Sequence, residues 1–234
     1  PEALASALEA MDDDGLGVAR QDRTHAVTID VCGVNVAKQM HVGHLRSTVI
    51  GDTVARLFER IGRKVHRQNH LGDWGLPIAM TLHSLRTRGV DLDALDLDAL
   101  NVAYREAQLE AKGDAKGLAA AEANRCGPHR IAELEAQQES ALAAQAAARD
   151  ALVRLQSGDA EMVAAWKRLI EVTMDEVYRA TTILNTRIDV DSERGESSFR
   201  DDLAEVVDAF VREGLAVEDD GALVVRFEDR ERPK

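Results

Sequence analysis

Between Ala26 and Asn69 the hydrophobic pattern of the chain changes period twice. Ala26–Val31 (AVTIDV) is apolar and β-branched, the composition of a strand. From Gly43 to Ile61 the apolar residues Leu45, Val49, Val54, Leu57, Phe58 and Ile61 recur at helical spacing. Gly62 is placed to end that helix in a left-handed conformation. Lys64–Asn69 (KVHRQN) then reads as a second short strand. A strand–helix–strand succession of this length predicts a parallel pair joined by a right-handed crossover. The fold class that follows is α/β.

The flanking sequence divides by composition. Residues 1–25 pair Leu4 with Leu8 on a short helix and then break at MDDDGLG, which suits a linker or the tail of an upstream domain. Residues 26–78 hold the βαβ unit. Residues 79–185 are rich in Ala, Glu, Gln and Leu, and predict a mainly helical insertion with solvated charged faces, including helices over 133–155 and 161–184. Residues 186–234 return to α/β character: TRIDV as a strand, SERGESS as a polar loop, Asp202–Arg212 as a helix, and a hairpin turning at Asp220-Gly221. The chain opens on Pro1 and closes on the charged string 228–234, which suggests a fragment of a longer protein.

Bulk properties exclude several function classes. With a formal charge of −13 over 234 residues, the chain has no global basic excess with which to neutralise a nucleic-acid backbone. Cys32 and Cys126 stand far apart and outside any CxxC pair, which fits a reducing compartment and offers neither a disulfide framework nor a thiolate zinc site. No apolar run approaches the roughly 20 residues needed to span a bilayer, and the N-terminus lacks a secretory pattern.

The chemistry concentrates at His41-Val42-Gly43-His44, at the start of the predicted helix. A helix N-terminus presents unpaired N–H groups and the positive end of the dipole. Two imidazoles there can donate to oxygens that gain charge during a reaction. Gly43 lets a planar group approach the backbone, and Lys38 adds a point charge for phosphates. Such a site would act by positioning and electrostatics. Two other readings compete with it. His41 and His44 can simply cap a helix, or they can ligate a metal with His66 and His70, although no Cys pair or HExxH pattern accompanies them. Asp30 either caps the turn after a buried strand or points into a pocket to meet a cation, since strand ends are where α/β sheets bind ligands. In the HLGDWG loop, His70–Gly75, Trp74 is either a core plug or a ligand contact.

The stretch VNVAKQMHVGHLRSTVIGD, followed after one helix by NHLGDWG, resembles arginyl-tRNA synthetases of the class I aminoacyl-tRNA synthetase group. Their HIGH-type motif reads roughly S-x-P-N-[VI]-A-K-x-[MF]-H-[VA]-G-H-L-R-[SA]-T-x-I-G-D, with N-H-x-G-D-W-G after it. VRLQSGD (153–159) and ERGES (193–197) also look like that family, and the likeness covers nearly all of 27–227. The resemblance implies a Rossmann-like parallel-sheet catalytic domain split by a helical insertion. His41 and His44 would bind the ATP phosphates and stabilise the transition state as the arginine carboxylate attacks the α-phosphate. Gly43 would lie beneath the adenine and Lys38 would contact phosphate. Asn35 would hold the amino-acid moiety of arginine, and Asp30 its guanidinium, a pairing a carboxylate can accept in bidentate fashion. His70, Asp73 and Trp74 would form a loop near the active site.

The implied partners are L-arginine, ATP with Mg2+ as a substrate complex and tRNA(Arg), in a monomeric cytoplasmic enzyme without a protein-ligated metal. The sequence departs from the family pattern at Cys32-Gly33-Val34, where a proline is usual, at Leu76-Pro77-Ile78 and at Ser198-Phe199. The later KMSKS-type loop and a helical anticodon-binding domain are absent from these residues, so the chain alone is expected to be inactive in aminoacylation. Another HxGH nucleotidyltransferase and a non-catalytic synthetase paralogue are the rival functions.

Overall fold

The computed structural model describes residues 2–12, 17–18, 25–219 and 221–227. They divide into two compact units, residues 1–195 and 196–234. The larger unit opens with helix α1, Glu2–Ala10, which buries none of its residues. The charged string 228–234 and Asp220 of the expected hairpin turn lie outside the described residues.

Strand β1 (Val27–Asp30), helix α2 (Val42–Arg60) and strand β2 (Val65–Leu71) form the expected βαβ unit. The two strands are parallel, with Val27 opposite Val65 and Asp30 opposite Gln68. Gly62 takes φ 87° just beyond α2, and its N–H donates to the Glu59 carbonyl at 2.9 Å, closing the helix as expected. A third parallel strand, β3 (Glu193–Gly195), pairs with the C-terminal half of β2 in the order β1-β2-β3.

The structure corrects two expectations here. TRIDV is not a strand: the Arg187 N–H that a ladder would use donates instead to the Asp52 carboxylate at 3.2 Å. The strand comes a few residues later, from Glu193-Arg194-Gly195 inside the supposed polar loop, because the free edge of β2 lies at Asn69–Leu71. Asp30 does not sit on a buried strand. β1 pairs only with β2 among the described residues, and both Thr28 and Asp30 are exposed.

Five helices follow β2: α3 (Leu76–Thr87), α4 (Leu97–Glu110), α5 (Ala115–Ala123), α6 (Pro128–Gln156) and α7 (Ala160–Ile183). Aspartates start three of them. Asp96, Asp114 and Asp159 each accept a backbone N–H of their own first turn, at 2.8, 2.9 and 3.0 Å. Ile78, Leu82, Leu85, Leu100, Leu155 and Leu169 form the centre of the helical core. A second core beneath the sheet gathers Val31, Cys32, Val34, Leu71, Met174, Val177 and Ile188. Helix α7 therefore serves both, with Leu169 in one and Met174 and Val177 in the other.

The loop after β1 is divided in the same way. Val31, Cys32 and Val34 belong to the sheet core, while Val36 and Ala37 belong to the helical core. This segment carries left-handed backbone at Cys32 (φ 66°) and Ala37 (φ 68°), conformations that a non-glycine residue holds only when its surroundings fix them.

The smaller unit contains helix α8 (Leu203–Arg212) and an antiparallel hairpin of β4 (Ala216–Asp219) and β5 (Ala222–Val225).

Candidate active site

Parallel strands put their C-terminal ends on one edge of a sheet, where loops gather and ligands bind in open α/β folds. Asp30 ends β1, Leu71 ends β2 and Gly195 ends β3. The loop leaving β1 turns back to make one more parallel bridge, between Asn35 and Gly72. The Val36 N–H donates to the Gly72 carbonyl, and the Gly72 N–H to that of Val34, each at 3.0 Å. The Asn35 side chain lies against Gly72. The two motif loops are thus joined before the histidines are reached.

His41 is the N-cap of α2 and His44 its third helical residue. The Gly43 N–H donates to His41 Nδ1 at 3.0 Å, and the His41 N–H donates to His44 Nδ1 at 3.2 Å. This reciprocal cap satisfies two of the N–H groups a helix start leaves open. It also fixes the tautomers. A backbone N–H can only donate, so each Nδ1 must be an acceptor, and each neutral ring carries its proton on Nε2. The rings stack at 3.9 Å between centroids with 26° between planes. Partial burial, the His41 ring and the Lys38 charge push the His44 pKa below its ordinary value, so this imidazole is held neutral. The tetrad thus offers two N–H donors on stacked rings, each in a fixed tautomer. Gly43 is required by the cap itself, because a Cβ there would stand 2.8 Å from His41 Cε1.

Lys38 lies with its Nζ 4.7 Å from the centroid of the Tyr104 ring, on α4. Its neighbours are pinned by the same helical block. The Ala37 N–H donates to Thr173 Oγ1 at 3.1 Å, the Gln39 N–H to Asn101 Oδ1 at 3.2 Å, and Gln39 Nε2 to Asp98 Oδ1 at 2.9 Å. The inserted helices therefore hold the motif loop, and one charged residue expected to be solvated, Asp98, takes part. Asp98, Asn101, Tyr104 and Thr173 have no local signature, since they meet the motif across 59 to 136 residues of chain.

The HLGDWG residues separate. His70 lies within β2, exposed, with Nε2 3.2 Å from Gln68 Oε1. Asp73 is buried, and its carboxylate lies against Gly195 of β3. Trp74 packs on the helical core and meets Trp166 of α7 edge to face, 5.5 Å between centroids at 83°. Trp166 Nε1 donates to the Asp73 carbonyl at 2.7 Å. Trp74 is therefore a partly buried core residue that braces this loop. Neighbouring Asn69, fully buried, accepts the Gly33 N–H at 3.0 Å and so ties the left-handed turn to β2.

Asp52 is a structural residue that its position in the motif does not disclose. Its buried carboxylate receives Arg56 Nε at 2.7 Å and Arg67 Nε at 2.8 Å besides the Arg187 N–H. Burial opposes the charge, but these donors prevail and hold its pKa below the ordinary carboxylate value. Glu59 completes the cluster, paired with Arg67 and, at 2.9 Å, with Arg187.

Among the described residues no three His, Cys, Asp or Glu side chains are grouped so as to hold a metal ion. No helix among them is long and apolar enough to cross a membrane.

Fold and site together define an α/β domain of parallel strands with an HxGH motif capping its crossover helix. The family model described as tRNA synthetases class I (R), catalytic domain, matches residues 7–233. The arginine–tRNA ligase of Cellvibrio japonicus is 40% identical over 221 residues, covering 92% of this chain and 33% of its own length. That of Cutibacterium acnes is 36% identical over 230 residues, covering 97% of this chain and 36% of its own. Among solved structures, the arginyl-tRNA synthetase of Plasmodium falciparum aligns with a TM-score of 0.62 at 25% identity, covering 90% of this chain and 31% of that one. The arginyl-tRNA synthetase of Thermus thermophilus aligns at 0.59 and 25% identity, covering 95% and 33%. The chain belongs to the arginyl family of class I tRNA synthetases, as the motif resemblance implied. It spans about a third of the length of the curated relatives it matches.

Proposed function

We propose that this chain supplies the first part of the catalytic domain of an arginine–tRNA ligase, which activates L-arginine with ATP and passes it to tRNA(Arg). In this reading residues 26–78 and 186–234 are two parts of that catalytic domain, 79–185 its helical insertion, and 1–25 a linker or the tail of an upstream domain. The enzyme is a cytoplasmic monomer.

One observation carries the proposal: the reciprocal cap leaves both Nε2–H groups of His41 and His44 free to donate from the first turn of a helix. A triphosphate fits this donor set. Neutral N–H donors and a helix N-terminus attract phosphate oxygens, and Lys38, three residues before His41, supplies the full positive charge. In adenylate formation the arginine carboxylate attacks the α-phosphate and pyrophosphate leaves. Negative charge builds on phosphate oxygens, and donors already in place there lower the barrier without reorganising. Mg2+ enters with ATP as part of the substrate and screens the phosphates. Gly43 gives the adenine its place, Asn35 holds the amino-acid moiety and Asp30 takes the guanidinium. The exposure of Asp30 at the end of β1 suits a group that must meet a ligand. His70, Asp73 and Trp74 shape the adjoining loop.

The test is arginine-dependent ATP–pyrophosphate exchange, with and without tRNA(Arg), in a protein carrying the complete catalytic domain. His41→Ala and His44→Ala are each expected to lower exchange by roughly a hundredfold or more, the usual loss for a donor to developing charge. Exchange at the unmutated level in either variant would remove the assigned roles.

A further inference from the structure

Lys38 is attached to the helical block by more than its own side chain. The hydrogen bonds of Ala37 and Gln39 to Thr173, Asn101 and Asp98 fix the backbone on both sides of it. Ala37 is held at φ 68° between them. Asp98, Asn101 and Tyr104 follow one another at intervals of three, so they share one face of α4. That face carries two polar anchors for Gln39 and one aromatic ring for Lys38. A lysine ammonium on the face of a tyrosine is attracted by the ring quadrupole. It is also restricted in its rotamers, which an unattached lysine would have to give up when a phosphate arrives. Lys38 stands in the same loop as the paired imidazoles, three residues before His41.

We propose that Tyr104 is a positioning residue for the phosphate site, its ring holding the Lys38 ammonium where the ATP phosphates come to lie. This rests on the reading of Lys38 as a phosphate contact. It gives the insertion a part in catalysis: α4 carries no reacting group, yet it sets the location of the cation that meets the nucleotide. Substitutions on its Asp98–Tyr104 face then act on ATP and leave arginine binding unaffected.

A double-mutant cycle in ATP–pyrophosphate exchange tests this, using a protein with the complete catalytic domain and varying ATP and arginine separately. Tyr104→Leu, which fills space without a quadrupole, is expected to lower kcat/KM for ATP by roughly threefold to tenfold, the range of a half-exposed cation–π contact. KM for arginine should stay unchanged. Tyr104→Phe, which keeps the ring, should restore most of the loss. In a Lys38→Met background Tyr104→Leu should add nothing. An equal loss in both backgrounds would assign Tyr104 to packing alone and overturn the proposal. So would a Tyr104→Leu variant with full kcat/KM beside an impaired Lys38→Met. If Lys38→Met is itself silent, the phosphate role of Lys38 falls and the proposal with it. His41→Ala then still reports on the tetrad independently. Should Tyr104→Leu fail to fold, Tyr104→Met gives the same comparison.

Discussion

His41 and His44 use one nitrogen each to build the helix and keep the other for a ligand. Because the His44 Nδ1 accepts the His41 N–H, a proton taken up there breaks the half of the cap that orients this ring. The pKa of His44 is lowered on folding, so the unfolded chain takes up its proton first as the pH falls. The stability that the neutral ring contributes is therefore complete above the ordinary imidazole value of about 6.5 and is lost as the pH drops through the folded value. Thermal melts between about pH 8 and pH 5 should show a steeper loss for the wild type than for His44→Asn, which keeps an acceptor but does not titrate. Parallel curves would show that the ring does not couple to folding. Asp52 has the same sign at lower pH. Its folded pKa is depressed, so its stabilisation is present above the ordinary carboxylate value near 3.9 and disappears as the pH falls through the folded one. Asp52→Asn leaves the nearly buried Arg67 guanidinium short of a counter-charge. The expected cost is about 3 kcal/mol, the lower end for a broken buried pair, since Glu59 still holds Arg67. Urea unfolding at neutral pH measures it, and a loss under about 0.5 kcal/mol, the ordinary range for surface substitutions, would contradict the burial argument.

Helix α2 sits close on β1 because Gly51 has no side chain. A Cβ at 51 would stand 2.6 Å from Val31 Cγ1, below any contact two carbons tolerate. Gly51→Ala sets two effects against each other. Alanine favours a helix interior by about 1 kcal/mol, while overpacking a filled contact costs about 1–3 kcal/mol. Val31 is stiff and fully buried, so the clash should win and Gly51→Ala should lower the melting temperature. Adding Val31→Ala should recover part of the loss, and strict additivity of the two would exclude the clash as the cause. Elements of this kind were legible where their period was regular. The bounds of α2, Val42–Arg60, fall within a residue of the helix expected from Gly43 to Ile61. TRIDV reads as a strand by composition, and nothing local says that Asp52, far back in the chain, takes its backbone N–H. In the same way, the apolar pattern placed the histidines at a helix start, whereas the partners of Lys38 and Gln39 on α4 were invisible because they come from distant sequence.

Among the described residues of the larger unit, α7 together with the loop after β1 passes through both the helical core and the core beneath the sheet. The inserted helices therefore act as a frame for the motif and not as an appendage. Their hydrogen bond to it is most deeply buried at Thr173, which is fully buried, accepts the Ala37 N–H and donates to the Leu169 carbonyl at 2.8 Å. Thr173→Val keeps the volume of the side chain and removes its hydroxyl. The Ala37 N–H then has no acceptor at a residue already in left-handed backbone, which should cost about 1–3 kcal/mol, the penalty for an unsatisfied buried donor. The effect should be local before it is global. Hydrogen exchange at the Ala37 amide should quicken by roughly tenfold or more, while amides near the N-terminal end of α6 change only by the global loss of stability. The same substitution should weaken ATP use, because Ala37 carries Lys38 into place. Unchanged exchange at Ala37 together with unchanged kinetics would mean that the loop keeps its shape without the helices, and that the frame is not what holds the motif.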